Sequence, residues 1–229
     1  MNTVNVFFER KLTCPVCDIN FTSTAIRPSK IKRKKTHSDF YVDYEEFNPN
    51  YYLVFVCPKC GYAYLQSSQP LNLNQKNVIK ERITVNWRPR DFGGKRDAAT
   101  AIEAFKLALL CGQLTEERDN LMAGIAVHIA WIYREAQDEA DEQRFMKLAL
   151  TYYQRIFETA TFEVDVARNL YMLGELSRRL GDLESAFNWF RKIIDDKRIN
   201  DATIIRLARE QYAEAREEYK RLKNQNSGG

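Results

Sequence analysis

The chain has 229 residues, 45% of them hydrophobic and 29% charged, with a formal net charge of +4. Those proportions belong to a globular protein of one large or two small domains. They exclude a spanning helix, because no run approaches the roughly 20 apolar residues that one needs. The opening MNTVNVFFERKLTCP lacks the basic start and long apolar core of a secretory leader, so a cytoplasmic location with reduced thiols is the expectation. Charge is unevenly spread: residues 1–96 hold 16 Lys and Arg against 8 Asp and Glu, whereas residues 97–229 hold 19 against 23. An excess of this kind favours anionic partners and does not bear on fold.

In chain order, the first signal is CPVC at residues 14–17, matched by CPKC at 57–60. Between them, residues 39–47 and especially 51–57 (YYLVFVC) are β-branched and aromatic, which predicts strands. Apolar residues at 73, 78, 79 and 83 predict a short helix over 73–83. The stretch NWRPRDFGGKRD, 86–97, has the Pro and paired Gly of a connector. Beyond it Ala, Leu, Glu and Arg dominate and Pro is absent. Helices are predicted over 97–112, ended by Gly112; 115–136, opened by Thr115; 138–160; 163–181, ended by Gly181; 183–196, capped by Asp182; and 201–223. The expected division is a zinc-ribbon-like domain at 1–96, a helical domain at 97–223 and a disordered tail at 224–229.

The helices carry a repeat. Leu170, Leu173-Gly174, Gly181, Ala186 and Phe190 follow the tetratricopeptide pattern, with Ser177 where Tyr is usual. Ala126, Ile129-Ala130, Tyr133, Ala149 and Tyr153 form a looser copy, and Ala101, Phe105 and Ala108 suit the second helix of an incomplete unit. An irregular helical bundle is the competing reading. Either way the class is α+β: a small four-cysteine β region followed by an all-α array.

Two C-x-x-C turns can supply the four thiolates that tetrahedral Zn²⁺ favours. Pro15 and Pro58 set φ after the first cysteine of each pair. Gly61 after the second pair can turn left-handed at no steric cost, and Asp18, at the matching place, tolerates that conformation. A redox C-P-x-C centre, a rubredoxin-type iron site and a disulfide pair are the alternatives. Cys14, Cys17, Cys57 and Cys60 are the predicted ligands of a structural Zn²⁺, since four protein ligands leave no open position. Cys111 lies on an apolar helical stretch and is expected to be a core thiol.

These residues, with the order CPVC, SK, DF, NP.YY and VCPKCGYA, then DFGGKR, AWIYR and LGELSRRLGD, resemble the bacterial family catalogued as domain of unknown function 2225, over Leu12 to Ile194. The resemblance implies a zinc-binding N-terminal region joined to tetratricopeptide-like helices in a cytoplasmic bacterial protein. It implies no activity.

Other features point to partners. Lys30, Lys32, Arg33, Lys34 and Lys35, followed by Phe40, Tyr41, Tyr44 and Phe47, suit single-stranded nucleic acid, although Asp43, Glu45 and Glu46 weaken that charge. Spacing along the first helix of each repeat places Val127, Trp131, Arg134, Arg168, Tyr171, Glu175 and Arg178 on one groove face. Trp131, Arg134, Arg168, Tyr171 and Arg178 are the candidate contacts for a protein or peptide partner, since Arg and aromatics dominate interface hot spots. His37, with four thiolates already available as ligands and no second His nearby in sequence, is expected at the surface, and His128, within an amphipathic helix, is expected to be a packed or half-exposed neighbour of the repeat. DFGG at 91–94 lacks the rest of a kinase signature, and GGK at 93–95 lacks that of a phosphate loop, which leaves turn duty. The expectation is a non-enzymatic interaction protein without a small-molecule substrate, and the alternative is a nucleic-acid-binding zinc-ribbon protein.

Overall fold

A computed structural model of the chain describes residues 5–159 and 166–226. Those residues form two compact units: residues up to 36 together with 42–145, and residues 37–41 together with those from 146 onward.

The first unit begins with two antiparallel strands, β1 (Phe7–Thr13) and β2 (Asn20–Ile26), whose register pairs Thr13 with Asn20 at the turn. That turn is CPVC. Strands β3 (Arg33–Thr36) and β4 (Val42–Tyr44) pair next. Then β5 (Val54–Val56) and β6 (Ala63–Leu65) pair around CPKCGY. The strand expected over 51–57 is therefore shorter. Pro49 opens a 3₁₀ turn, Pro49–Tyr52, whose Asn48 side chain accepts the Asn50 N–H. Proline's helical φ and the Asn cap bend the chain before the β-branched run can extend it. For the same region, 39–47 contributes only three strand residues.

Helix α1 (Leu73–Arg82) starts with a full capping box between Asn72 and Gln75. Helix α2 (Ala98–Leu114) is capped by Asp97 and packs on the last hairpin, where Cys111 Sγ accepts the Ala63 N–H. Gly112 does not end α2 as its sequence suggested. It lies inside the helix, and a Cβ there would stand 2.5 Å from Met122 Sδ, so its small size admits the next helix. Thr115 closes α2, its hydroxyl donating to the Cys111 carbonyl, and α3 (Asp119–Glu135) opens four residues later than predicted. The core of this unit includes Val54, Phe55, Phe92, Phe105, Ile125, Ile129 and Ile132. The composition change near residue 96 marks where the longer helices begin. The compact units divide elsewhere, because α2 buries its apolar face on β5 and β6.

Helix α4 (Glu139–Thr159) contributes residues up to Phe145 to the first unit and from Met146 to the second. The second unit continues with α5 (Val166–Arg179), α6 (Leu183–Asp195) and α7 (Ala202–Asn226). The predicted start of α5 at 163–165 and the end of α4 at Ala160 lie outside the described residues. Gly181 takes φ +84° after α5, and Asp182 accepts the Ser185 N–H to cap α6, as the sequence predicts. A Cβ on Gly174 would stand 2.6 Å from the Phe190 ring, so glycine lets α6 press against α5. Residues 224–226, assigned to a disordered tail, are the last turn of α7; 227–229 lie outside the described residues. The class is α+β, with a small antiparallel region carrying the cysteine cluster and helices thereafter.

Candidate metal centre

The two cysteine turns are built alike. In the first, the Asp18 N–H bonds back to the Cys14 carbonyl at 3.0 Å and the Cys14 N–H to the Ile19 carbonyl at 2.9 Å. In the second, the Gly61 N–H bonds to the Cys57 carbonyl at 2.9 Å and the Cys57 N–H to the Tyr62 carbonyl at 2.9 Å. Each turn reverses through a left-handed residue, Asp18 at φ 58° and Gly61 at φ 76°. Closing a hairpin in so few residues requires that conformation, and Asp and Gly are the residues that reach it at least cost.

This geometry brings four sulfurs together. Cys14 Sγ lies 3.5 Å from Cys60 Sγ, and Cys17 Sγ lies 3.6 Å from Cys57 Sγ. All four Sγ atoms fall within 4.8 Å of one another, with Cys14, Cys57 and Cys60 buried and Cys17 half-buried. A tetrahedron of sulfurs at ~2.3 Å from one ion has edges of about 3.8 Å, so the cluster fits a single metal ion. The Val16 N–H also points at Cys14 Sγ, at 3.5 Å.

A hydrogen bond from Cys60 draws the Cys14 thiol down, whereas burial pushes Cys57 up. Cys60 is held protonated by its bond to Cys14 and by burial. Cys111 is separate, a core thiol raised to about 11 by burial.

The second turn is braced from behind. Trp87 donates its indole N–H to the Pro58 carbonyl at 2.9 Å, and Thr84 donates its hydroxyl to the Cys60 carbonyl at 3.0 Å. The DFGGKR stretch does more than turn. The Gly93 N–H bonds to Asp91 Oδ1, and the Gly93 carbonyl accepts the Thr24 N–H of β2 at 2.7 Å. Arg96, only 7% exposed, donates to the carbonyls of Phe92, Tyr51 and Val54. Burial draws its guanidinium down to about 10. Neither Arg96 nor Trp87 stood out in the sequence, because their roles depend on segments about 30 to 45 residues away.

Of the predicted basic run, Arg33, Lys34 and Lys35 stand exposed on β3 and Lys30 on a short 3₁₀ turn; Lys32 pairs with Glu45 at 3.5 Å. Strand pairing sets Lys35 opposite Asp43 and Arg33 opposite Tyr44. The interleaved rings do not form a stacking row. Tyr41 is buried, Phe40 packs on Tyr171 at 5.2 Å, and Phe47 meets Phe7 edge-on at 4.8 Å. Phe40 and Tyr41 are thus engaged within the chain, whereas Phe47 keeps 37% of its surface exposed and Tyr44 is half-buried.

The predicted groove residues fall in both units. In the first, Val127 is buried, Trp131 meets His128 edge-on, and Arg134 pairs with Glu142 at 2.6 Å. In the second, Arg168, Tyr171, Glu175 and Arg178 lie along one face of α5, and residues 37–41 of the same unit are seated on it. Tyr171 is wholly buried and donates its hydroxyl to the Ser38 carbonyl at 2.8 Å. Glu175, also 0% exposed, accepts from Ser38 Oγ at 2.6 Å, from two nitrogens of Arg178 and from Arg179 at 2.7 Å. Tyr171, Glu175 and Arg178 are thus engaged within the chain rather than lining an open groove. Sequence reasoning missed Ser38, Asp39 and Arg179, which complete this cluster. The pattern contained no sign that a loop far earlier in the chain would cover α5.

Among the described residues, no helix is long and apolar enough to cross a membrane. The family model described as "Uncharacterized protein conserved in bacteria (DUF2225)" matches residues 7–215. An "Uncharacterized protein" of Borreliella burgdorferi is 23% identical over 68% of this chain and 62% of its own length, so the chain spans under two thirds of that relative. No solved structure matches.

Proposed function

Since the chain belongs to the uncharacterized bacterial family DUF2225, which brings no activity with it, we propose a reading from the site itself: a zinc-binding, non-enzymatic interaction protein. Cys14, Cys17, Cys57 and Cys60 would hold one Zn²⁺. The observation that carries this is the convergence of four Sγ atoms within 4.8 Å from two turns of the same build. Bound there, the ion supplies a cross-link between the two hairpins. Four thiolates complete its shell and leave no position for a reactant, which supports a structural role. The binding energy is then folding energy for the hairpins.

Docking of a protein or peptide partner is assigned to the helices. The close α5–α6 contact through Gly174 and Phe190 supports a tetratricopeptide-like use of the helices. Metal analysis with an absorbance spectrum of the purified full chain tests the first part. One colourless zinc per chain, lost in the Cys17→Ser and Cys60→Ser variants, is expected. Iron colour or no bound ion overturns it. Affinity capture from native lysate with and without RNase tests the second. Partners lost only after RNase would favour the nucleic-acid alternative instead.

A further inference from the structure

The segment seated on α5 is a short turn with a specific chemistry, His37-Ser38-Asp39-Phe40-Tyr41. The His37 N–H bonds to the Tyr41 carbonyl at 2.7 Å, and the Phe40 N–H to the His37 carbonyl at 3.0 Å, closing the turn on itself. Three features of its side chains are read by α5. The Asp39 carboxylate, 1% exposed, faces Arg179 Nη2 at 3.4 Å. Ser38 Oγ sits between Glu175 Oε1, to which it donates at 2.6 Å, and Arg179 Nη2, from which it accepts at 3.1 Å. The Phe40 ring lies between Tyr171, at 5.2 Å, and the Arg168 guanidinium, at 4.2 Å.

A hydroxyl, an acid and an aromatic are each matched by a complementary group, and the Tyr171 hydroxyl adds a bond to the turn's own backbone. This is how a binding site reads a short peptide: buried polar pairs give specificity and a ring in a cation-lined slot gives hold. Phe40 adopts φ 67°, a conformation that bulky L residues seldom take. The seated turn therefore carries local strain, which persists because the contacts around it outweigh it.

We propose that the α5 face formed by Arg168, Tyr171, Glu175 and Arg179 is an acceptor for a Ser-Asp-aromatic turn, filled in cis by residues 38–40. A partner presenting the same acid-aromatic turn competes for it. This rests on the docking role assigned to the helices and names the chemistry of the partner. The intramolecular turn has the advantage of high effective concentration, so a partner gains access to the extent that the turn leaves. Strain at Phe40 biases the turn toward leaving.

The test uses the full chain and a fluorescein-labelled peptide of sequence THSDFYV. In anisotropy titrations the Asp39→Ala/Phe40→Ala double variant, with its own turn disarmed, binds the peptide saturably and at least tenfold more tightly than the native chain does. Adding Arg179→Ala to that variant weakens binding at least fivefold, and a THSNAYV peptide binds no better than background. No saturable binding to a variant that keeps its native far-UV circular dichroism overturns the proposal, as does equal binding to native and variant chains or equal binding of both peptides. If the double variant loses helical signal, Phe40→Leu, which keeps apolar bulk and Asp39, is titrated against the same criteria. Helix-dependent capture of a cellular partner that is indifferent to Arg179→Ala sinks this acceptor and spares the docking role. Specific peptide binding with no cellular partner does the reverse.

Discussion

Replacing Gly61 by alanine perturbs the second cysteine turn in two separable ways. The residue sits at φ 76°, where an L side chain costs about 1–2 kcal/mol, and its Cβ would stand 2.5 Å from Trp87 Cδ2 and Cε3. The indole cannot swing away freely, because its N–H is bonded to the Pro58 carbonyl and its ring stacks on Phe92. Displacing it forfeits a hydrogen bond of about 1 kcal/mol. The sum is about 2–3 kcal/mol, or roughly 30- to 140-fold in the unfolding equilibrium. Gly94 of the same unit serves as control: no atom lies within 4 Å of its Cβ position and its φ is not in the left-handed range, so Gly94→Ala gains about 0.4–1 kcal/mol from reduced unfolded-state freedom. Gly181, at φ 84° with open space around it, isolates the backbone cost at about 1–2 kcal/mol. Urea titrations of the metal-loaded chain, followed by tryptophan fluorescence, measure all three. If Gly61→Ala and Gly94→Ala unfold within about 0.5 kcal/mol of each other, a spread that ordinary surface substitutions show, the account of the turn is refuted. Equality with Gly181→Ala removes the Trp87 contact alone.

Glu175→Gln removes the charge at the centre of the buried Arg178, Arg179 and Ser38 cluster, and its thermal unfolding is expected to show a loss of about 3 kcal/mol; an unchanged midpoint would mean the cluster is not formed. Burial holds His128 below its ordinary value of 6.5, so the unfolded chain binds a proton there that the folded chain refuses. Stability at this site is therefore full above about 6.5 and falls as the pH drops below it, and His128→Phe should flatten that limb of a stability-against-pH curve. Asp201 accepts the N–H groups of Thr203 and Ile204 at the start of α7, so Asp201→Ala should cost about 1 kcal/mol in thermal melts followed by circular dichroism. A chelator strong enough to strip the metal should unfold the β1–β2 and β5–β6 hairpins, read as faster amide exchange around Cys14–Cys17 and Cys57–Cys60; unchanged protection would count against a structural ion.

The legible features were local ones. The paired C-x-x-C spacing, Pro15 and Pro58, and the left-handed residues Asp18 and Gly61 describe turns that close on themselves within five or six residues, so chain chemistry alone specifies them. The cap at Asp182 and the stop at Gly181 are of the same kind. Gly112 shows where this logic fails: a glycine late in an apolar helix reads as a terminator, yet here it makes room for Met122, and only the partner's position distinguishes the two uses. The rings following the basic run read equally well as a stacking surface until Phe40 and Tyr41 are found packed.

By itself, then, the amino-acid order decided the α+β class, the two matching C-x-x-C turns and the α5 stripe of Arg168, Tyr171, Glu175 and Arg178, because periodicity and turn chemistry act over a few residues. Only the tertiary structure decided that two turns 43 residues apart place their sulfurs within reach of one ion, that Arg96 braces the distant carbonyls of Tyr51 and Val54, and that the chain's own Ser38-Asp39-Phe40 covers the α5 stripe. Those pairings depend on loop closure and burial across the chain, which no local pattern encodes.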